Sequence, residues 1–255
     1  MLAIIGGSGL TRLANLEVSR REVVRTPYGE PSSALLFGRI CGRDAVFLAR
    51  HGHGHTIPPH RVNYRANVWA LRERGAGEIV AAASVGGIAP ECQPGCLVLP
   101  DQLLDYTHGR ASTYFDGSDK KVVHVDFTEP YTQALRERCL RAALAAGIPM
   151  HDGGVYAAVQ GPRLETAAEI DRLERDGATM VGMTGMPEAV LARELGVPYA
   201  TIAIVVNHAA GRGESHAGVS MERINAVLQE ATRKVRTVIE HLVQQPAGAG
   251  GAGEE

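Results

Sequence analysis

The sequence predicts a single α/β domain, a mixed and largely parallel twisted sheet flanked by helices. Three observations carry that expectation. Short apolar runs alternate with amphipathic helical stretches along most of the 255 residues. Several of these runs end in glycines or charged residues, as strands do where they reach a ligand at their carboxyl ends. No repeat of 20–50 residues is present, so solenoids and propellers are not expected.

In chain order, Leu2–Ile5 reads as a buried strand running into Gly6-Gly7-Ser8-Gly9. Such glycines let backbone N–H groups turn toward an anion, and Ser8 adds a hydroxyl. A plain tight turn fits as well, because the stretch lacks the Lys-Ser/Thr of a P-loop. Residues 33–40 and 43–50 read as paired strands joined at Cys41-Gly42-Arg43. The second delivers Arg50 and His51 into a loop holding His53, His55, Pro58-Pro59 and His60, and a helix follows from Arg61. Glu78–Ala83 is the next strand, ending in Ser84-Val85-Gly86-Gly87. A short strand spans 97–100, after which Pro100–Asp105 is expected to leave the sheet. Segment 106–130 is irregular and long enough to suggest a lid or a subunit contact. A surface helix with Leu135, Leu140, Ala143 and Leu144 on its apolar face ends at Gly147. Strand 154–159, helix 167–176, strand 180–184, helix 187–195, strand 199–206 and a closing helix from about Ser220 to Leu242 complete the fold.

The four histidines of the Arg50 loop leave two chemistries open. The H-x-H-x-H pattern of His51, His53 and His55 suits a transition metal, as in a zinc hydrolase. Arg50 and His51 equally suit phosphate, since a guanidinium fork matches its oxygens and an imidazole adds a donor. No HExxH, Cys-rich ligand set or companion carboxylate motif supports the metal.

Composition narrows the field. The formal net charge is -2, which gives no basic footprint for nucleic acid, and no apolar run is long enough for a membrane span. Cys41, Cys92, Cys96 and Cys139 are scattered, and Met1 leads directly into a strand, so a reduced cytoplasmic protein is expected. The stretch from Gln244 onward, rich in Gly and Ala, reads as a flexible tail to a domain of residues 1–243.

GGSGL, ARHGHGH with PPHRVNYRAN, VGGI, GPRLET, VGMTGMPE and VVN follow one another in a fixed order. Together they resemble the trimeric purine nucleoside phosphorylase and methylthioadenosine phosphorylase family, over roughly residues 3–240. The resemblance implies a nucleoside phosphorylase-like fold, a homotrimer, and phosphorolysis of a purine nucleoside. Phosphate would be held by Ser8, Arg50, His51, Ser84 and Thr184, with His51 also catalytic. Inorganic phosphate is a co-substrate, and neither cofactor nor metal is expected, because the nucleophile is already an anion. Asn207 would act on the N7/O6 edge of the leaving purine, Met183 would pack on the ribose, and Leu164 and Glu165 would face the base. Leu164 departs from the phenylalanine usual in the family.

Relatives that cleave 6-amino purine nucleosides carry aspartates where this chain has Asn207 and Ala209. The resemblance therefore implies a 6-oxopurine, whose N1–H Glu165 accepts. Met221 and Ile224 match the relatives that accept a 5'-methylthio group, and His124 would close the pocket from a neighbouring subunit. His216, a few residues before Met221, could instead supply a donor to a 5'-hydroxyl. An inosine/guanosine phosphorylase is thus the alternative, followed by a methylthioadenosine phosphorylase. A nucleoside sensor without catalysis is the remaining class.

Overall fold

The computed structural model describes residues 1–118 and 122–246. The Gly/Ala-rich tail expected beyond the domain falls almost entirely outside the described residues.

Eleven strands form one sheet: β1 (Leu2–Gly6), β2 (Glu17–Glu22), β3 (Leu35–Ile40), β4 (Arg43–Ala49), β5 (Glu78–Gly87), β6 (Leu97–Leu99), β7 (Gln102–Asp105), β8 (Met150–Asp152), β9 (Val155–Ala158), β10 (Met180–Gly182) and β11 (Tyr199–His208). The main path runs β2-β3-β4-β1-β5-β10-β9-β7, while β11 pairs with β5 and β6, and β6 with β8. Most pairings are parallel, as the alternation of strands and helices requires. The helices are α1 (Tyr64–Glu73), α2 (Gln133–Ala145), α3 (Ala167–Arg175), α4 (Gly185–Glu194) and α5 (Met221–Gln244).

Side chains alternate across the sheet and divide the core in two. Ala3 and Ile5 of β1 join α1 and α4 in one cluster, with Val68, Leu71, Ala189 and Leu191. Leu2 and Ile4 point the other way, to Leu135 and Cys139 of α2 and to Val235, Val238 and Leu242 of α5. Helical layers therefore cover both faces.

β5 is the strand that positions the site. It lies beside β1 from Glu78 to Ala81, and beside β10 only at Gly86 and Gly87. Between those two partners, Ala82–Val85 has no neighbour on that edge, and the sheet opens. On its other edge β5 stays paired with β11 as far as Gly87. A register shift between Val205 and Asn207 interrupts that ladder, and a bulge of this kind re-aims a side chain.

Four local expectations are corrected. Residues 102–105 stay in the sheet as β7, pairing with β9. β2 and β8, which carry few apolar residues, gave no strand signal. β2 is a charged edge strand, exposed along most of its length, a composition that discourages further pairing. In α2 the buried residues are Leu135, Arg136, Arg138, Cys139, Ala142 and Ala143, while Leu144 is 82% exposed. The two buried arginines pair with Asp152 and Glu78, so that face is partly ionic. Finally, the first half of the irregular segment is bolted down rather than free to swing as a lid. Thr113 Oγ1 and the Tyr114 N–H both donate to Glu194, and Tyr114 OH donates to the Arg65 carbonyl.

Candidate active site

The opening in the sheet is the mouth of a cavity of about 690 Å³. Ser8, Arg50, His51, Ser84, Thr184, Leu164, Glu165, Met183, Asn207, Met221 and Ile224 all line it. The sequence distributes these residues over the ends of β1, β4, β5, β9, β10 and β11 and the start of α5. β1, β4, β5 and β11 share one direction, so their carboxyl ends meet at one sheet edge, while β9 and β10 run opposite to β5 and bring their carboxyl ends to the same gap from the other side.

At the inner end sits Arg50, 1% exposed. Its Nε and Nη2 donate to both oxygens of Glu188, each at 2.7 Å, and Nη1 donates to the Ala82 carbonyl at 2.9 Å. The fork is therefore occupied by Glu188, and one N–H on each terminal nitrogen is left for an anion. Burial alone would disfavour the charge, but the Glu188 carboxylate outweighs it and the guanidinium stays protonated. Tyr199 OH donates to the same carboxylate at 2.8 Å, and the Thr201 hydroxyl to Tyr199 at 3.0 Å. Gly7 is glycine for a steric reason. A Cβ there would lie 2.6 Å from the Ala82 oxygen and 2.8 Å from Arg50 Nη1.

His51 is oriented with equal care. Its Nδ1 lies 2.8 Å from the Ile57 carbonyl, which can only accept, so Nδ1 carries the proton. Burial, then the Arg50 charge, lowers its pKa to about 4. The imidazole is thus neutral near pH 7, with Nε2 a lone-pair acceptor. The expectation of an additional donor is corrected: His51 would accept a proton from an oxygen of a protonated anion.

His55 stacks obliquely on His51 with ring centroids 4.7 Å apart, and lies 3.5 Å from Ser8 Oγ. Its φ of +52° is uncommon for a residue with a side chain. Among the described residues no group of three or more His, Cys, Asp or Glu side chains is placed to hold a metal ion. Thr184 precedes α4 and its side chain makes no capping bond. Its backbone N–H donates to Tyr156 OH at 3.3 Å.

At the outer end the groups are less constrained. Glu165 is half-buried, and burial raises its pKa above the usual carboxylate value. Among the described residues no other acid lines the cavity. Asn207 Nδ2 donates to the His208 carbonyl at 2.5 Å, leaving Oδ1 and the second N–H free. His208 is held in turn by Gln93. Met183 packs against Gly161, where φ is +59° and a Cβ would lie 2.4 Å from its sulfur. Leu164 and Met221 are 41% and 60% exposed.

Ala209 lies elsewhere: it is buried behind the wall, packed with Ile88, Ala157 and Val181, and it does not line the cavity. His124, expected in a neighbour's pocket, is exposed in the irregular segment and outside this chain's own cavity. His216 does not line it either. Sequence reasoning missed Glu188, Tyr199 and Asn225, the last of which lines the cavity beside Ile224. An acid amid the apolar residues of α4 was a usable signal for Glu188, since a buried carboxylate requires a partner.

The description Phosphorylase superfamily fits this arrangement, and that family model matches residues 1–244. The chain belongs to the phosphorylase superfamily. It is 51% identical to a probable S-methyl-5'-thioinosine phosphorylase of Pseudomonas syringae pv. tomato, over 94% of this chain and 97% of that protein. It is 49% identical to a 6-oxopurine nucleoside phosphorylase of Pyrococcus furiosus, over 82% of this chain and 80% of that protein. Among solved structures it superposes on methylthioadenosine phosphorylase from Schistosoma mansoni in complex with adenine, with a TM-score of 0.90 and 32% identity. That match covers 95% of this chain and 90% of the other. Superfamily membership makes the protein an enzyme of phosphorolysis, and the cavity is its candidate active site.

Proposed function

We propose that this enzyme cleaves S-methyl-5'-thioinosine with inorganic phosphate, giving hypoxanthine and S-methyl-5-thioribose 1-phosphate, in purine and methylthioadenosine salvage. The observation that carries this reading is the purine end of the cavity. Among the described residues Glu165 is the single acid lining it, and an amide, Asn207, lines it too. A 6-oxopurine offers an N1–H to the carboxylate and an O6/N7 edge to the amide. Adenine has no N1 proton and would leave Glu165 unpaired.

Phosphate would lie among Ser8, the free N–H groups of Arg50, the backbone at Ser84 and the hydroxyl of Thr184, with its own proton directed at His51 Nε2. Its anionic oxygen attacks C1', the C1'–N9 bond breaks, and the electron pair leaves on the purine, which takes up one proton to become hypoxanthine, matching the proton that the phosphate gives up. Positive charge grows on the sugar ring, against the phosphate and the Met183 side chain. Negative charge grows over the purine, where the Asn207 amide stabilises it more in the transition state than in the ground state. No metal or cofactor takes part in this scheme.

The 5' end separates the main reading from the alternative. Met221, Ile224 and Leu228 give an apolar wall suited to a thioether. Asn225 beside them is polar and favours, as the second reading, an inosine/guanosine phosphorylase. The deciding measurement compares kcat/KM for methylthioinosine, methylthioadenosine, inosine and guanosine with phosphate present. Methylthioinosine is expected first; inosine first would establish the alternative, and methylthioadenosine first would refute the role of Glu165.

The proposal extends to a cytoplasmic homotrimer in which His124 reaches a neighbour's site. It is supported by the family resemblance and by the exposed apolar residues at the cavity mouth. No helix among the described residues is long and apolar enough to cross a membrane. Sedimentation as a fully active monomer would refute the shared site.

A further inference from the structure

Arg110 lies outside the cavity, in the irregular segment, yet its guanidinium is the most heavily bonded group near it. Nη1 donates to the carbonyls of Met183 at 2.9 Å and Met186 at 2.6 Å, and lies 3.3 Å from Tyr64 OH. Nη2 donates to the carbonyls of Gln160 at 2.9 Å and Val159 at 3.2 Å. Nε donates to the Gln160 side-chain oxygen at 3.2 Å. Every N–H of the fork thus has a carbonyl oxygen, and no carboxylate of the described residues forms an ion pair with it.

These acceptors belong to two segments that leave neighbouring strands: β9 and β10 pair as far as Ala158 and Gly182, the Val159 N–H donates to the Gly182 carbonyl at 2.8 Å, and past that point no ladder joins the two. Val159 and Gln160 begin the loop that ends in Leu164 and Glu165. Met183 precedes Thr184. Met186 lies in the first turn of α4, two residues before Glu188, which holds Arg50. The peptide between Met183 and Thr184 is fixed on both sides: its oxygen by Arg110, its N–H by Tyr156 OH. Rotation of that plane would move the Met183 and Thr184 side chains together.

We infer that Arg110 is a positioning residue, which sets the base-binding loop 159–165 against the sugar- and phosphate-facing turn 183–186 without touching substrate. This rests on the phosphorolysis reading above and adds a residue to it. The planar fork explains why arginine stands here. A lysine ammonium has three donors and no fixed fork, so it would leave carbonyls unpaired and the two walls free to shift. A displacement of about 1 Å between reacting groups can cost about 100-fold in rate even when its source is remote.

The test uses the full chain with Arg110→Lys and Arg110→Ala. For each variant the melting temperature, the affinity for phosphate alone, the affinity for hypoxanthine alone, and kcat and KM for methylthioinosine are measured. With the fold retained, hypoxanthine affinity and kcat/KM should fall, the latter by on the order of 100-fold. Phosphate affinity should fall less than hypoxanthine affinity, because of the phosphate-facing groups only Thr184 lies on the turn that Arg110 holds, while Ser8, Arg50 and His51 do not contact Arg110. Lysine should restore little of the loss. Wild-type kinetics in both variants would overturn the inference. So would equal losses of phosphate and hypoxanthine affinity, or loss of fold in both, since Arg110 would then serve the fold in general. If the wild type cleaves no nucleoside, the proposed function fails, while the hypoxanthine and phosphate affinities still decide the role of Arg110.

Discussion

The two ends of the cavity are built to different standards. At the inner end the buried charged and ring groups are tied: Arg50 to Glu188 and Ala82, Glu188 to Tyr199, His51 to Ile57. At the outer end Glu165 has no side-chain partner, and Leu164 and Met221 face solvent. The first can be assembled before any ligand arrives, so its donors need not reorganise when charge develops. The second takes shape around the nucleoside, and its specificity depends on what the nucleoside offers. An anion common to every member of such a family suits the rigid end, and a variable substrate suits the open one.

The largest effect is expected from breaking the rigid end. Arg50→Ala should abolish most phosphorolysis, by 100-fold or more on the order of magnitude seen when a preorganised donor is removed. Glu188→Ala should do similar harm by another route. It leaves the Arg50 guanidinium buried and unpaired, at a cost of about 3–5 kcal/mol in stability. Phosphate affinity and denaturant unfolding of the two variants distinguish the routes. Near-normal activity in Arg50→Ala would remove the anion site altogether.

The next effect concerns the base. Glu165→Gln should reduce cleavage of methylthioinosine substantially, by about 10-fold or more, because an amide oxygen accepts less strongly than a carboxylate. An acid at position 207 should weaken 6-oxopurine cleavage as well. An acid at 209 is not expected to read the purine, since Ala209 packs behind the wall with Ile88 and Val181. Ala209→Asp should lower the melting temperature by burying an unpaired carboxyl, without raising methylthioadenosine cleavage. A gain in methylthioadenosine cleavage would put that residue back in the site.

How much of this was legible in the sequence follows the same division. Arg50, His51, Ser84, Thr184 and Asn207 stand at the ends of apolar runs; the parallel β4, β5 and β11 carry four of these to one place, and Thr184 reaches it from the end of β10, which runs opposite to β5. Their partners were not legible. Glu188 is 138 residues from Arg50, and nothing local marks the pairing. Arg110 bonds mainly to backbone carbonyls, which every residue possesses, so no residue type in the sequence announces its acceptors. β2 and β8 lacked apolar periodicity because they sit at sheet margins. Asn225 required the register of α5, which only the packed helix fixes.

Acid offers a way to sharpen the comparison. The pKa of His51 is about 4 in the fold and about 6.5 when the chain is unfolded. Between those values the unfolded state binds the extra proton, so stability is complete above pH 6.5 and falls as pH drops toward 4. The loss approaches about 3 kcal/mol below that window. Unfolding measured against pH should show this slope, and His51→Gln should flatten it. An unchanged slope would mean that the imidazole is not held neutral.

The smallest effect is expected at the open end, where two residues should act in opposite directions. Met221 is 60% exposed and lines the cavity beside Ile224 and Leu228, on the side proposed to face the 5' substituent. Met221→Ala removes contact worth about 1–3 kcal/mol at most, the usual value of a small group in an apolar pocket, and less here because solvent already reaches it. Methylthioinosine kcat/KM should fall by about 10-fold while inosine, which makes no thioether contact, changes less. Asn225→Leu should do the reverse, extending the apolar wall and removing the amide nearest a 5'-hydroxyl. Its ratio of methylthioinosine to inosine cleavage should rise. If both substitutions leave that ratio unchanged, the start of α5 does not read the 5' substituent. The selecting contact would then have to come from another subunit, and the same pair of ratios measured at dilutions that dissociate the assembly would show it.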